Sequence, residues 1–315
     1  MIMFRKIKNY ALWAILFIAL IPIAHAQTYQ PIKSWNNEVN NQIEAFLNET
    51  KLIKERKVAV FDYDGTLMGQ VPFYMVDEAL IDYTYHELAN NNDETSKEKV
   101  KMMTEMLKGS TSSNEYVDNR VKFLSGMTPE LVEEIGYRTF QNKYRNKIYS
   151  EMRQFLANLE EFGFEIWIIS TSPEVLYQKM ISEEFGIPKD RILGTKSTVE
   201  YGRFTENLIP PRAADQGKAD VIDTYIKAKP LIVGGNSRGD LEMTNKSVGL
   251  KIVVNPDNEK VYSESENKEL AGHTLYSYWK EKEAIIVYCE DEEDKEISFE
   301  SDQQGVVKNK TVKPE

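Results

Sequence analysis

The sequence predicts an α/β protein: a Rossmann-like parallel sheet with helices on both faces and an α-helical cap inserted after the first strand. Three observations point there. Short apolar runs alternate with amphipathic stretches of helical length. Residues 70–148, directly after the first apolar run, read as helix without a strand among them. Polar residues gather where strands end and helices begin, the edge at which open parallel sheets bind ligands.

From the N-terminus, residues 1–26 read as a signal peptide. Arg5, Lys6 and Lys8 form a basic start, "ALWAILFIALIPIA" is the apolar middle, and "AHA" is a small-x-small cleavage site. Pro22 interrupts the apolar stretch, which is short for a membrane span. The expectation is an exported protein, periplasmic or secreted, with no stable membrane insertion after cleavage. Residues 34–50 carry apolar positions at helical spacing, and "KVAVFD" (57–62) is a buried strand. Residues 70–148 are helical and rich in tyrosine, with polar breaks at 90–98 and 109–115. A helix at 151–164 leads into the strand "EIWIIS" (165–170). A second helix, opened by Pro173, runs to 187. Residues 194–206 alternate about Tyr201-Gly202 as a hairpin. The helix "GKADVIDTYIKA" and the strands "PLIVGG" and "GLKIVVN" complete the pattern. The plan is therefore a signal peptide (1–26), an α/β core (27–69 and 149–280), a helical cap (70–148) and an acidic C-terminal extension (281–315).

Composition narrows the partners. The net charge is −11; removing the leader takes away three basic residues and no acid, leaving −14. Such a surface repels nucleic acid and anionic membranes. Cys289 is the single cysteine, so no internal disulfide forms and the core carries the stability.

The chemistry begins at "VAVFDYDGTL", where Asp62 and Asp64 stand one residue apart at the end of a buried strand. Carboxylates that close repel each other, and a divalent cation removes the repulsion. Mg²⁺ takes hard oxygen ligands, one or two carboxylates together with waters and phosphate oxygens. Ser170 and Thr171 follow the second strand, Lys218 opens a helix, and Asn236 and Asp240 follow the third strand. All fall at the same sheet edge. Such a set suits phosphoryl transfer through a carboxylate nucleophile. A calcium loop starting at Asp62 is disfavoured, because its twelfth position, where a bidentate Glu is required, is Phe73.

"DYDGT", "IIST", "GK" and "GNSRGDLEM", in that order, resemble the four motifs of the haloacid dehalogenase (HAD) superfamily of phosphohydrolases. A cap directly after the first motif resembles the phosphoserine-phosphatase-like branch. The resemblance covers residues 57 to about 256. It implies a HAD-like fold, Mg²⁺ as cofactor and a small phosphomonoester as substrate. It makes Asp62 the nucleophile that forms an aspartyl-phosphate. Asp64 becomes the general acid and base, with its backbone carbonyl on the metal. Ser170, Thr171 and Lys218 bind phosphate. Asp62, Asp64 and Asn236 hold the metal, with Asp240 supporting them from behind. Asn236 stands where the family usually has an aspartate; it keeps an oxygen ligand and lacks the charge. Arg120 falls on the arginine that meets the substrate carboxylate in phosphoserine phosphatases, with an exposed helix arginine as the plainer reading. The glutamate those enzymes use for the substrate amine is absent; Val71 and Pro72 stand there. The alternative function is a phosphate-ligand binding protein that keeps the fold and has lost turnover, with Asn236 as its sign.

Overall fold

The computed structural model describes residues 27–108 and 113–291. The signal-peptide reading and residues 292–315 of the C-terminal extension lie outside the described residues. The strands are β1 (Lys57–Phe61), β2 (Phe164–Pro173), β3 (Ile192–Glu200), β4 (Arg203–Ile209), β5 (Ile232–Gly235), β6 (Leu250–Val254) and β7 (Ile285–Val287). They form one sheet in the order β4-β3-β2-β1-β5-β6-β7. Only β3 and β4 pair antiparallel. They are joined through Tyr201 (φ 50°) and Gly202 (φ 75°), two positive φ angles as a tight hairpin with right-handed twist requires.

The helices are α1 (Asn37–Thr50), α2 (Met75–Asp82), α3 (Glu94–Met106), α4 (Asn114–Phe123), α5 (Pro129–Thr139), α6 (Ser150–Glu161), α7 (Glu174–Phe185), α8 (Gln216–Val221), α9 (Leu241–Thr244) and α10 (Leu275–Glu281). Among the described residues none is long and apolar enough to cross a membrane. β1 sits at the centre of the sheet and is buried on both faces. Val58 and Val60 pack with Ile222, Ile226 and Met243 on one side. Ala59 and Phe61 pack with Leu47 and Phe155 on the other. The rings of Phe61 and Phe155 meet edge to face, 6.0 Å apart. This two-sided burial explains why the strand reads as a continuous apolar run.

Helices α2 to α5 lie between β1 and β2 in the chain and form the cap. α2 and α5 each widen into a π-helical turn, at Tyr83–Leu88 and Phe140–Tyr144. The cap's apolar residues, Val76, Phe123, Val132 and Phe140 among them, are continuous with the sheet's own core. α3 begins inside the polar break expected at 90–98. Asp93 caps it, accepting from the Ser96 N–H at 2.9 Å, so part of that polarity is a helix start rather than a loop.

The expected extension from 281 is corrected by β7, which pairs with β6 and adds a strand to the sheet. A little further on, buried Asp291 accepts the backbone N–H groups of Gln70 (2.7 Å) and Val71 (3.1 Å) and faces Lys147 Nζ at 3.3 Å. Gly69 N–H donates to the Lys147 carbonyl at 2.8 Å. The two chain crossings between core and cap are thus tied to each other and to the end of the described chain.

Candidate active site

Asp62 follows β1 directly, its N–H donating to the Gly234 carbonyl of β5 at 3.0 Å. The ladder therefore fixes it at the carboxyl edge of the central strand. Lys218, in the first turn of α8, reaches across and donates to Asp62 Oδ1 and to Asp240 Oδ1, both at 2.6 Å. The other oxygen of Asp240 accepts the N–H groups of Asn236 (3.1 Å) and Ser237 (2.9 Å) and the Ser237 hydroxyl (2.9 Å). Asp240 is held rigidly and in turn holds Lys218. Two glycines make room for this. A Cβ on Gly235 would lie 2.5 Å from that of Asp240. A Cβ on Gly65 (φ +82°) would lie 2.1 Å from Asn236 Nδ2. Only glycine lets these chains approach so closely.

The Thr66 hydroxyl lies 3.1 Å from Asp62 Oδ2 and 3.4 Å from Asn236 Oδ1, so those two oxygens converge on one neighbourhood. Among the described residues no three carboxylate, imidazole or thiolate side chains form a ready metal cage. One carboxylate, one amide oxygen and a backbone carbonyl nevertheless fit a Mg²⁺ that keeps waters and takes up phosphate oxygens. Asp64 is oriented from α7: the Tyr177 hydroxyl lies 2.9 Å from its Oδ2 and 3.1 Å from its Oδ1, and accepts the Val76 N–H of α2 at 3.2 Å.

Burial raises the pKa of both aspartates. For Asp62, the charge of Asp240 adds to burial and Lys218 opposes it. Asp64 is pushed up to about 7 by burial and then by Asp62. Asp240 is also buried, but Lys218 and the loop N–H donors outweigh burial and hold it below its ordinary value. Lys218 is raised, since Asp240 and Asp62 outweigh the cost of burying its charge.

These groups open into a cavity of about 590 Å³ between sheet edge and cap. Asp62, Asp64, Ser170, Thr171, Lys218 and Asn236 line it; Asp240 stands behind Lys218. Ser170 is buried, and its hydroxyl accepts the Ser172 N–H at 3.2 Å. Arg120 also lines the cavity, from α4. The plainer reading of Arg120 as an exposed helix residue is corrected: its side chain is 3% exposed and is paired with Asp77 of α2. Of the cap tyrosines, Tyr74 lines the cavity, Tyr83, Tyr116 and Tyr144 are buried, and Tyr85 is exposed.

Sequence reasoning missed Asp77, Tyr177 and the far wall of the cavity, Asp257, Lys260, Tyr262 and Glu266. Asp77 left only a partial signal: in "MVDEALID" it and Glu78 are adjacent acids among apolar residues that are buried from Met75 to Ile81. Tyr177 left none, being one more aromatic on an amphipathic helix.

A family profile described as haloacid dehalogenase-like hydrolase matches residues 59–244. The chain belongs to this family. The match takes in most of β1, the cap, and Asp62, Asp64, Ser170, Lys218, Asn236 and Asp240, and stops short of the far wall of the cavity. A protein named phosphoserine phosphatase from Archaeoglobus fulgidus is 26% identical over 208 residues, which is 64% of this chain and 53% of that protein. The chain thus spans about half the length of this curated relative. Among solved structures, a conserved protein of unknown function from Anaerococcus prevotii superposes with a TM-score of 0.55 at 15% identity, covering 78% of this chain and 94% of its own. A protein of unknown function from Bordetella pertussis Tohama I also gives 0.55, at 13% identity, covering 74% and 99%. Both share this chain's fold, a mostly parallel sheet flanked by helices.

Proposed function

We propose that this HAD hydrolase is an exported, Mg²⁺-dependent phosphomonoesterase that acts on a small phosphorylated metabolite through an aspartyl-phosphate. The observation that carries the reading is the Lys218 bridge between Asp62 and Asp240, with Asp64 held two residues on in the same cavity. The relative's name and the basic, apolar start of the chain support it from outside the site.

An Asp62 carboxylate oxygen attacks phosphorus, and the ester oxygen departs. Asp64 gives that oxygen its proton, so the leaving group is released as a neutral alcohol. A pKa of about 7 suits a carboxyl that must hold a proton near neutral pH and yet release it. Asp64, now a carboxylate, removes a proton from water as the water attacks the aspartyl-phosphate, which restores Asp62 and frees phosphate. Lys218 keeps Asp62 aimed and offsets charge on the transferring group. Ser170 and Thr171 supply hydroxyls to the phosphoryl oxygens. Mg²⁺, when bound by Asp62, Asn236 and the Asp64 carbonyl, would neutralise charge on nucleophile and phosphate.

The rival reading, a binding protein without turnover, draws on Asn236 alone, whereas Asp62, Asp64 and Lys218 are all in position. The experiment is phosphate release from an aryl phosphate, with and without Mg²⁺. Turnover that chelator abolishes and Mg²⁺ restores is expected. Binding of phosphate esters with no turnover at any Mg²⁺ concentration overturns the enzyme reading.

A further inference from the structure

Every cation that lines the cavity is already matched by an acid of the chain. Lys218 bridges Asp62 and Asp240, Arg238 pairs with Asp215 and Glu242, and Lys260 pairs with Glu266. Arg120 is matched most completely. Its Nε donates to Asp77 Oδ1 at 2.8 Å and its Nη2 to Asp77 Oδ2 at 2.7 Å. The Tyr116 hydroxyl donates to the same carboxylate at 3.1 Å. The rings of Tyr116 and Tyr74 flank the guanidinium, 4.8 and 5.5 Å from Cζ to centroid. Arg120 and Tyr74 form the cavity wall, and Asp77 stands behind them.

An arginine fork meets one carboxylate side-on through two parallel N–H bonds. Here the protein's own Asp77 takes that edge. The pair is neutral, so a ligand carboxylate arriving at it would bring an uncompensated charge into a buried site. Val71, at the position where an acid for the substrate amine is missing, is buried, apolar and outside the cavity lining, so it gives no partner to an ammonium group. Charge at either end of an amino-acid leaving group therefore goes unmet on this wall.

We propose that Asp77 is a specificity residue: it closes Arg120 into a neutral pair, so that the substrate is a phosphomonoester of an uncharged alcohol or phenol rather than of a hydroxy acid. This rests on the phosphomonoesterase reading. It also replaces the reading of Arg120 as the arginine that meets a substrate carboxylate.

The test compares two ligands of nearly equal shape, 2-hydroxyethyl phosphate and phosphoglycolate, with phosphoserine as a third. Binding is measured by calorimetry on the full chain carrying Asp62→Asn, so that the ratio of dissociation constants is read without turnover. The neutral ester is expected to bind at least about tenfold more tightly than phosphoglycolate, since unlike partners meet and like charges repel. Asp77→Asn in the same background frees Arg120 and should shift that ratio about tenfold toward phosphoglycolate. A purely structural role for Asp77 would weaken both ligands alike and leave the ratio unmoved. Where Asp77→Asn does not fold, Arg120→Gln decides: it should cause no selective loss of phosphoglycolate. The proposal is overturned by phosphoglycolate or phosphoserine binding as tightly as the neutral ester, or by an Arg120→Gln loss confined to the carboxylated ligands. Absence of turnover in the otherwise unaltered chain, with the binding ratio as expected, sinks the phosphatase reading and leaves the charge-neutral wall standing.

Discussion

Lys218 and Arg120 are each 3% exposed, face the same cavity and are held by buried carboxylates, yet the two regions treat charge in opposite ways. At the sheet edge one lysine stands among three acids, Asp62, Asp64 and Asp240, and burial, with a neighbouring carboxylate adding to it, raises the pKa of both Asp62 and Asp64. In the cap one arginine meets one acid, and nothing is left over. The lesson concerns what each region is for. A negative excess at strand ends is relieved by a cation or by a proton, which is what the proposed phosphatase chemistry asks of that region. A balanced buried pair asks for nothing and acts as a wall. Breaking a buried pair costs about 3–5 kcal/mol, while exchanging the whole pair for apolar residues of similar volume is often neutral.

The largest effect is expected at the sheet edge. Asp62→Asn should lower phosphate release by at least about a thousandfold, the scale on which loss of a nucleophile acts. Its melting temperature should stay close to that of the unaltered chain, because the amide is nearly isosteric and removes a repelling charge. Activity close to that of the unaltered chain would remove Asp62 from the chemistry.

In the cap the expected change is in stability instead. Asp77→Ala leaves Arg120 buried without its partner and should destabilise by about 3–5 kcal/mol in denaturant titration. The double change Asp77→Leu with Arg120→Met should recover most of that loss. The corresponding exchange at Lys218 and Asp240 would recover no activity. A double variant no more stable than Asp77→Ala would show that the cap pair is tied into a wider network.

Tyr177→Phe sharpens the boundary between the regions, since that hydroxyl touches Asp64 on one side and the N-terminal turn of α2 on the other. Turnover of alkyl phosphates should fall by about thirtyfold, a part of the roughly 10²–10⁴-fold that general acid catalysis supplies. Aryl phosphates with good leaving groups, which need less protonation, should lose much less. Equal loss for both classes would make Tyr177 a packing residue.

Asn236→Asp adds charge on the side already in excess. Half-saturation by Mg²⁺ should move about tenfold lower, as changes around metal ligands do. An unchanged Mg²⁺ dependence would place Asn236 away from the ion.

The smallest effect is expected at the hinge. Asp291→Asn keeps the shape but weakens charge-assisted bonds to Gln70 and Val71, and should cost about 1–2 kcal/mol. Faster hydrogen exchange at those two amides would report it. Protection equal to that of the unaltered chain would mean that the hinge holds without Asp291.

How much of this was legible follows from how each residue is placed. Asp62, Asp64, Lys218, Asn236 and Asp240 sit at strand ends or helix starts, and local pattern marks such positions; Ser170 lies inside β2, which runs three residues beyond it to Pro173. The sheet edge then brings them together whatever the rest of the chain does. β7 was not legible, because a strand of three residues beside an acidic run has no pattern of its own. The start of α3 is hard to tell from a loop in the sequence, because its cap residues are the polar types that also make loops.

The sequence by itself determined the alternation of strands and helices as far as β6, the cap's place in the chain and the set of residues at the sheet edge, because these depend on short periodicities and on neighbours a few positions apart. Only the tertiary structure decided the partners. Asp77 meets Arg120 across 43 positions, Tyr177 meets Asp64 across 113, and Asp291 meets Gln70 across 221. No local rule links residues so far apart. Their pairing is fixed by how the cap helices and the last strand pack, and burial then makes each pairing strong because water no longer competes for the charge.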